Sequence, residues 1–250
     1  VTAAVLPFPA LPTAAAPPPT PAPRPPAPET AATAHQRVLH AAVERELRLL
    51  AELASWVTTD GAARTAELAG QADLLSRVLL EHHAFERDRL WPALLRAVPA
   101  VELESARRHV AASVRRSAAL DHRLRELATT ARQWAVSGTV PARDAVVRAC
   151  RSTADAVVES ASAEEADLLP LLASYLPDGE WAALCRAAAS TLSGREQMLV
   201  LGLVLEDATA IDRARVLATV PVAVRTAWRV VGRRTFRAAV VRLRGAPPAL

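Results

Sequence analysis

Apolar residues recur at alternating three- and four-residue spacings through four long stretches of the chain, the pattern of helices that each bury one face. In the first, from about Ala32 to Val57, the stripe reads Gln36, His40, Val43, Leu47, Leu50, Ala54 and Val57, with glutamate and arginine opposite. The second, about Ala62 to Val98, carries Leu68, Ala72, Leu75, Leu79, His82, Glu86, Leu90 and Ala93. Beyond Pro99 the third has Leu103, Ala106, Val110, Ser113, Ser117, Leu120, Leu124, Leu127, Ala131 and Trp134. The fourth runs Val146, Cys150, Thr153, Val157, Ser160, Glu164, Leu168, Leu171 and Tyr175. Asp60 with Gly61, Gly138 with Pro141, and Pro177 with Gly179 punctuate the pattern. Nothing follows the two-residue period of a strand. The expected fold is therefore all-α: an antiparallel up-down-up-down four-helix bundle with additional C-terminal helices.

The rest of the chain divides around that unit. Residues 1–30 are rich in proline and alanine and are expected to form a disordered arm, because proline offers no backbone donor to a helix or ladder. The bundle is expected over 31–177, a helical extension packed on it over 178–245, and a short tail over 246–250. Within the extension, helices are predicted at about Glu180–Leu192, Gly194–Glu206, Ala208–Ala218 and Pro221–Leu243. Leu199, Leu201, Leu203 and Leu205 make the second of these so apolar that it must be covered, either on the outside of the bundle or in a homodimer contact.

The polar residues inside the seams carry the chemical interest. His82 and Glu86 lie four apart, so both leave the same helix face one turn apart. In an up-down bundle the late part of the second helix stands opposite the early first helix, the middle of the third and the late middle of the fourth. That places His40, His82, Glu86, Ser117, Asp121, Ser160 and Glu164 at about one level of the core. Burying an imidazole or a carboxylate alone costs roughly several kcal/mol, so each needs a hydrogen bond, an opposite charge or a metal. Facing histidines and carboxylates on bundle helices are how such folds hold iron or manganese, and the donors also suit zinc.

Composition narrows the classes. The chain has no lysine, so all 30 basic residues are arginine, and the net charge is a modest +4. No acidic residue follows Asp212, whereas nine arginines do, a tail that could meet an anionic partner; a solvated face is the commoner outcome, and there is no firm nucleic-acid or membrane signal. No apolar run reaches the roughly 18 residues of a membrane span, and no signal-peptide order is seen at the start, so a cytoplasmic protein is expected. Cys150 and Cys185 are too few for a disulfide framework and read as reduced thiols. Glycine-rich phosphate loops, cysteine metal motifs and serine nucleophile elbows are absent from the sequence.

The stretch HHAFERDRLWPAL, His40 on the preceding helix and AEEADLLPLL on the fourth together resemble the hemerythrin-like, HHE cation-binding proteins. The resemblance covers roughly His35 to Pro177, and LSGREQMLVLG and WRVVGRR are similar to an extension of some bacterial members. It implies a four-helix bundle with a non-haem di-iron centre that binds dioxygen or another small redox ligand, senses oxygen or redox state, or stores iron. Carried across, the pattern places metal ligands at His40, His82, Glu86 and Glu164. It departs at two positions where the family has histidine and this chain has Ser117, with Asp121 one turn on, and Ser160. Hydroxyls are poor ligands beside imidazole, so the centre expected is depleted, with one iron or a loosely held pair and Ser117, Asp121 and Ser160 as degenerate or supporting positions.

Three readings follow: a metal-binding protein of oxygen, redox or iron response; a metal-free scaffold for an unknown protein partner, in which His40 pairs with Glu86 and His82 with Glu164; and an oxygenase whose open coordination positions admit substrate. Fold alone does not choose among them, and whether the protein is an enzyme stays open. Several neighbours read as plain structure. His35, His109 and His122 lie off the seams, His83 on a flank suited to hydrogen bonding or solvent, Glu165 at the surface, and Trp91 with Pro92 as a packing anchor and a local helix perturbation.

Overall fold

The computed structural model describes residues 29–58 and 61–248. The proline-rich arm up to residue 28, Asp60 of the first turn and the last two residues lie outside them. Among the described residues every regular element is helical: α1 (Ala31–Ser55), α2 (Ala62–Phe85), α3 (Trp91–Ala97), α4 (Ala100–Ser137), α5 (Val140–Asp167), α6 (Leu169–Tyr175), α7 (Asp178–Ala187), α8 (Gly194–Glu206), α9 (Ala210–Thr219), α10 (Val222–Ala227) and α11 (Arg233–Arg244). The fold is all-α, as the periodicity predicts.

Local chemistry sets the ends. Thr30 caps α1 by accepting from Thr33 N while its own N–H donates to Thr33 Oγ1, and Ser193 and Glu196 make the same reciprocal box at α8. Gly138 ends α4 with φ 62°, a left-handed conformation that a side chain resists. A π turn, Glu86–Leu90, joins α2 to α3, and in it Trp91 N–H donates to Glu86 O. Pro92 lacks the N–H that would bond one turn back, so the ladder shifts by one residue just before it. The perturbation expected at Trp91 and Pro92 is this turn, which begins at the polar seam residue Glu86.

The helices α1, α2, α4 and α5 form the bundle. Late α1, early α2, late α4 and early α5 share one apolar cluster, including Leu47, Leu75, Leu127, Trp134 and Val157. A second cluster, with Trp91, Leu94, Ala106, Leu168, Leu172 and Trp181, occupies the other end. Joining the end of each helix to the start of the next is what an antiparallel bundle requires. Burying a large aliphatic or aromatic side chain contributes roughly 1.5–3 kcal/mol, so the two clusters hold the bundle from both ends.

The C-terminal helices lie on this frame. Leu203 and Val204 of α8 pack against Leu39, Val43 and Leu75, which covers the apolar helix with the bundle itself. Gly202 allows the Phe236 ring to lie on α8, where an added Cβ would come within 2.2 Å of it. Arg244 donates to Glu46, which is fully buried, and to Glu206 at 2.7 Å, while Arg45 donates to Glu46 at 3.0 Å and bonds Asp207. Burial pushes the Glu46 carboxyl up, and the two guanidinium groups oppose that rise. Not all of the basic tail is therefore a free surface. Two expected boundaries move: the helix predicted to Leu192 ends at Ala187, and the last helix is interrupted by a π turn, Trp228–Gly232.

Candidate metal centre

A layer of polar side chains crosses the bundle between the two apolar clusters. Gln36 and His40 come from α1, His82 and His83 from the end of α2, Glu86 from the π turn, Ser113, Ser117 and Asp121 from α4, and Ser160 and Glu164 from α5, and all are buried. The period of each seam puts these residues at matching heights, because adjacent helices run in opposite directions.

Within the layer two imidazole–carboxyl pairs face each other. His82 Nε2 stands 3.2 Å from Glu86 Oε1, one turn along the same helix, and His40 Nδ1 stands 4.0 Å from Glu164 Oε2 across the bundle. The rings of His40 and His82 meet edge to face with centroids 5.1 Å apart. Gln36 Nε2 donates to Glu86 Oε1 at 2.6 Å, and Ser113 Oγ donates to Glu164 Oε1 at 3.1 Å. These pairs are the reverse of those expected for a satisfied scaffold, in which His40 would meet Glu86 and His82 would meet Glu164. The reason is reach: the seam places His82 directly over Glu86, and α1 packs against α5.

The layer is also incompletely satisfied. Among the described residues, His82 Nε2, Glu86 Oε2 and Gln36 Oε1 are buried and have no hydrogen-bond partner. The 3.2 Å approach of His82 to Glu86 lies off the direction of a hydrogen bond, so it leaves Nε2 unsatisfied. Each such group costs about 1–3 kcal/mol relative to a paired one. Electrostatics follow from burial. Desolvation lowers His82 to about 3, with the charge of His83 adding to it, and holds His40 well below its ordinary value. The carboxyls move the other way, Glu86 up to about 7 and Glu164 up to about 8, in both through desolvation first and in Glu164 through the nearby Glu86 second.

The supporting positions divide. Ser160 adjoins Glu164, whereas Ser117 turns its hydroxyl back to Val114 O at 3.1 Å. Asp121 faces away from the two pairs: it bonds His83 Nδ1 at 2.5 Å and Arg87 at 3.2 Å, tying α4 to α2 beside the layer. His83 is accordingly a buried hydrogen-bonding residue. His122 is exposed and meets Glu126 at 3.2 Å, and His109 meets Asp167 at 3.4 Å, both off the seam as expected. His35 differs: its ring lies 6.3 Å from that of His82 and 5.3 Å from Trp181 of α7. The α1 seam alone does not reveal that contact, because Trp181 arrives from outside the bundle. Sequence reasoning also missed Gln36 and Ser113 as partners of the carboxyls. Their positions, each four residues before His40 and Ser117 in their seams, were the available signal. Arg116, on the α4 flank, brings a positive charge toward Glu164 while its Nε and Nη2 stay buried without a partner.

The donor set, two neutral imidazoles and two carboxyls with orphaned buried atoms, suits a first-row divalent cation. As the side chains stand, the donors remain two separate pairs, and no group of three or more His, Cys, Asp or Glu among the described residues could hold an ion. The donor types suit a cation; holding one would require side-chain rotation to bring the two pairs together.

Fold and layer together define a helical bundle with an imidazole–carboxyl core, the class of the cation-binding bundles. The chain belongs to the hemerythrin HHE cation-binding domain family, whose model matches residues 32–172. The match begins near the start of α1 and ends within α6, so it takes in the whole polar layer and leaves α7–α11 outside. No curated protein and no solved structure is detectably similar to the chain.

Proposed function

We propose that this protein binds a single non-haem metal ion, iron foremost and manganese or zinc as alternatives, through His40, His82, Glu86 and Glu164, and serves in oxygen, redox or iron response. One observation carries the reading. Two imidazoles and two carboxyls are buried together in one layer, and among the described residues His82 Nε2 and Glu86 Oε2 have no hydrogen-bond partner there, a cost that a cation would remove. Membership in a cation-binding family supports the same reading.

Each residue has a distinct task in this proposal. His40 and His82 stay neutral on burial and so keep nitrogen lone pairs available. Glu86 and Glu164 would have to be deprotonated to hold the cation, and as carboxylates they would neutralise its charge. Gln36 and Ser113 hold one oxygen of each carboxylate, which fixes the direction of the other. Bound iron would supply a centre able to change oxidation state and to meet a small redox ligand such as dioxygen. Serine at positions 117 and 160 leaves the α4 and α5 side without imidazoles, which limits the centre to one ion. The free thiols Cys150 and Cys185 suit the reducing cytoplasm. Among the described residues no helix is long and apolar enough to cross a membrane.

Metal analysis of protein purified without oxygen from iron- and manganese-supplemented cells tests the proposal. Close to one ion per chain is expected, falling to background in His82→Leu. Background metal in the unaltered protein would leave the layer as a scaffold and end the metal reading.

A further inference from the structure

At the height of the polar layer, neighbouring helices leave four lateral gaps, and three are occupied. His83, Asp121 and Arg87 cross between α2 and α4. His35, backed by the fully buried Trp181, stands beside His82. His109 with Asp167, and Arg116, lie between α4 and α5. Between α1 and α5, Ala41 and Ala161 leave a cleft of about 160 Å³, in whose wall His40 stands together with Arg37, Glu44 and Glu165. A second cleft of about 320 Å³ lies between α1 and the start of α6, and Arg37 and Glu165 line both.

We propose that the α1–α5 cleft is the path by which a divalent cation reaches the centre, and that Glu165 is the first side chain to take it. The inference rests on the metal-binding reading above. Arg37 is paired with Glu29, which also binds Arg215 at 3.0 Å, and Glu44 is paired with Arg48 at 2.8 Å. Glu165 is exposed and makes no ion pair among the described residues, which leaves its carboxylate available at the mouth. Glu164, the preceding residue on the same helix, points inward and is buried with Oε2 4.0 Å from His40 Nδ1. A hydrated cation would therefore exchange water for a surface carboxylate, then for His40 and Glu164, across one turn of α5. Opposite charge at a narrow mouth raises the local cation concentration and the rate of capture.

The test follows cobalt(II) uptake by the metal-free full chain in stopped-flow absorbance. Glu165→Gln is expected to slow loading by roughly three- to tenfold, and Ala161→Phe by at least about tenfold, with the end-point absorbance unchanged. Glu104→Gln, on an exposed part of α4, should load at the parent rate. Parent-like rates in both Glu165→Gln and Ala161→Phe, with cobalt still bound, would overturn the route and leave the metal reading standing. No cobalt uptake by the parent protein would overturn both. Slow loading equally produced by Glu104→Gln would show a general charge effect and also overturn the route.

Discussion

His40 and His82, from different helices, meet edge to face with ring centroids 5.1 Å apart at the centre of a four-helix bundle. Neither ring gains charge there, since burial keeps both neutral, and among the described residues His82 Nε2 has no hydrogen-bond partner. His82→Leu should therefore leave the melting temperature of the metal-free protein unchanged or slightly raised while removing metal binding. A fall of many degrees in that metal-free variant would mean that the imidazole supports the fold.

Gln36 grips Glu86 at 2.6 Å and is itself 1% exposed. Removing the amide frees the carboxylate to turn and strips its only side-chain donor among the described residues. Gln36→Leu is expected to weaken cation affinity by about 10- to 100-fold. Isothermal titration with manganese against the parent protein measures the change; equal affinities would show that Glu86 is oriented by something else.

The stability of the metal-free protein should depend on pH in two directions. Glu86 and Glu164 are raised from 4.5 to about 7 and about 8, so their contribution is complete below pH 4.5 and is lost as pH rises toward 8. His40 and His82 are lowered from 6.5, so their contribution is complete above pH 6.5 and is lost as pH falls through the acid range. Between about pH 4.5 and 6.5 the two trends offset, giving a plateau in melting temperature with a decline on either side. Excess manganese should stabilise more at pH 8 than at pH 6, because binding displaces the carboxyl protons. Glu86→Gln with Glu164→Gln should remove the alkaline decline. A decline that persists in that double variant would place its origin elsewhere.

In the proposed function Ser117 and Ser160 stand where imidazoles would complete a second half-site. Ser117→His with Ser160→His is expected to raise occupancy from one iron toward two per chain, with the near-ultraviolet absorption of a bridged pair. Unchanged metal content in a folded double variant would show that α4 and α5 do not present these positions to the centre as proposed.

The sequence by itself determined the helices, their buried faces and the height of the polar layer. Three- and four-residue spacing sets which face of a helix turns inward, and short turns between long helices make the direction of each one follow from the last. His40, His82, Glu86, Ser160 and Glu164 were therefore legible as neighbours. The tertiary structure decided whom each one touches. Asp121 sits at the right height yet belongs to His83 and Arg87, because the relative rotation of α2 and α4 turns it to the bundle's side. His35 reads as off the seam until Trp181, far along the chain, comes to lie against it. Arg244 reads as one of nine tail arginines until packing places it between Glu46 and Glu206. Periodicity encodes depth within one helix, whereas a side-chain partner depends on how separate helices are rotated and on segments distant in the chain.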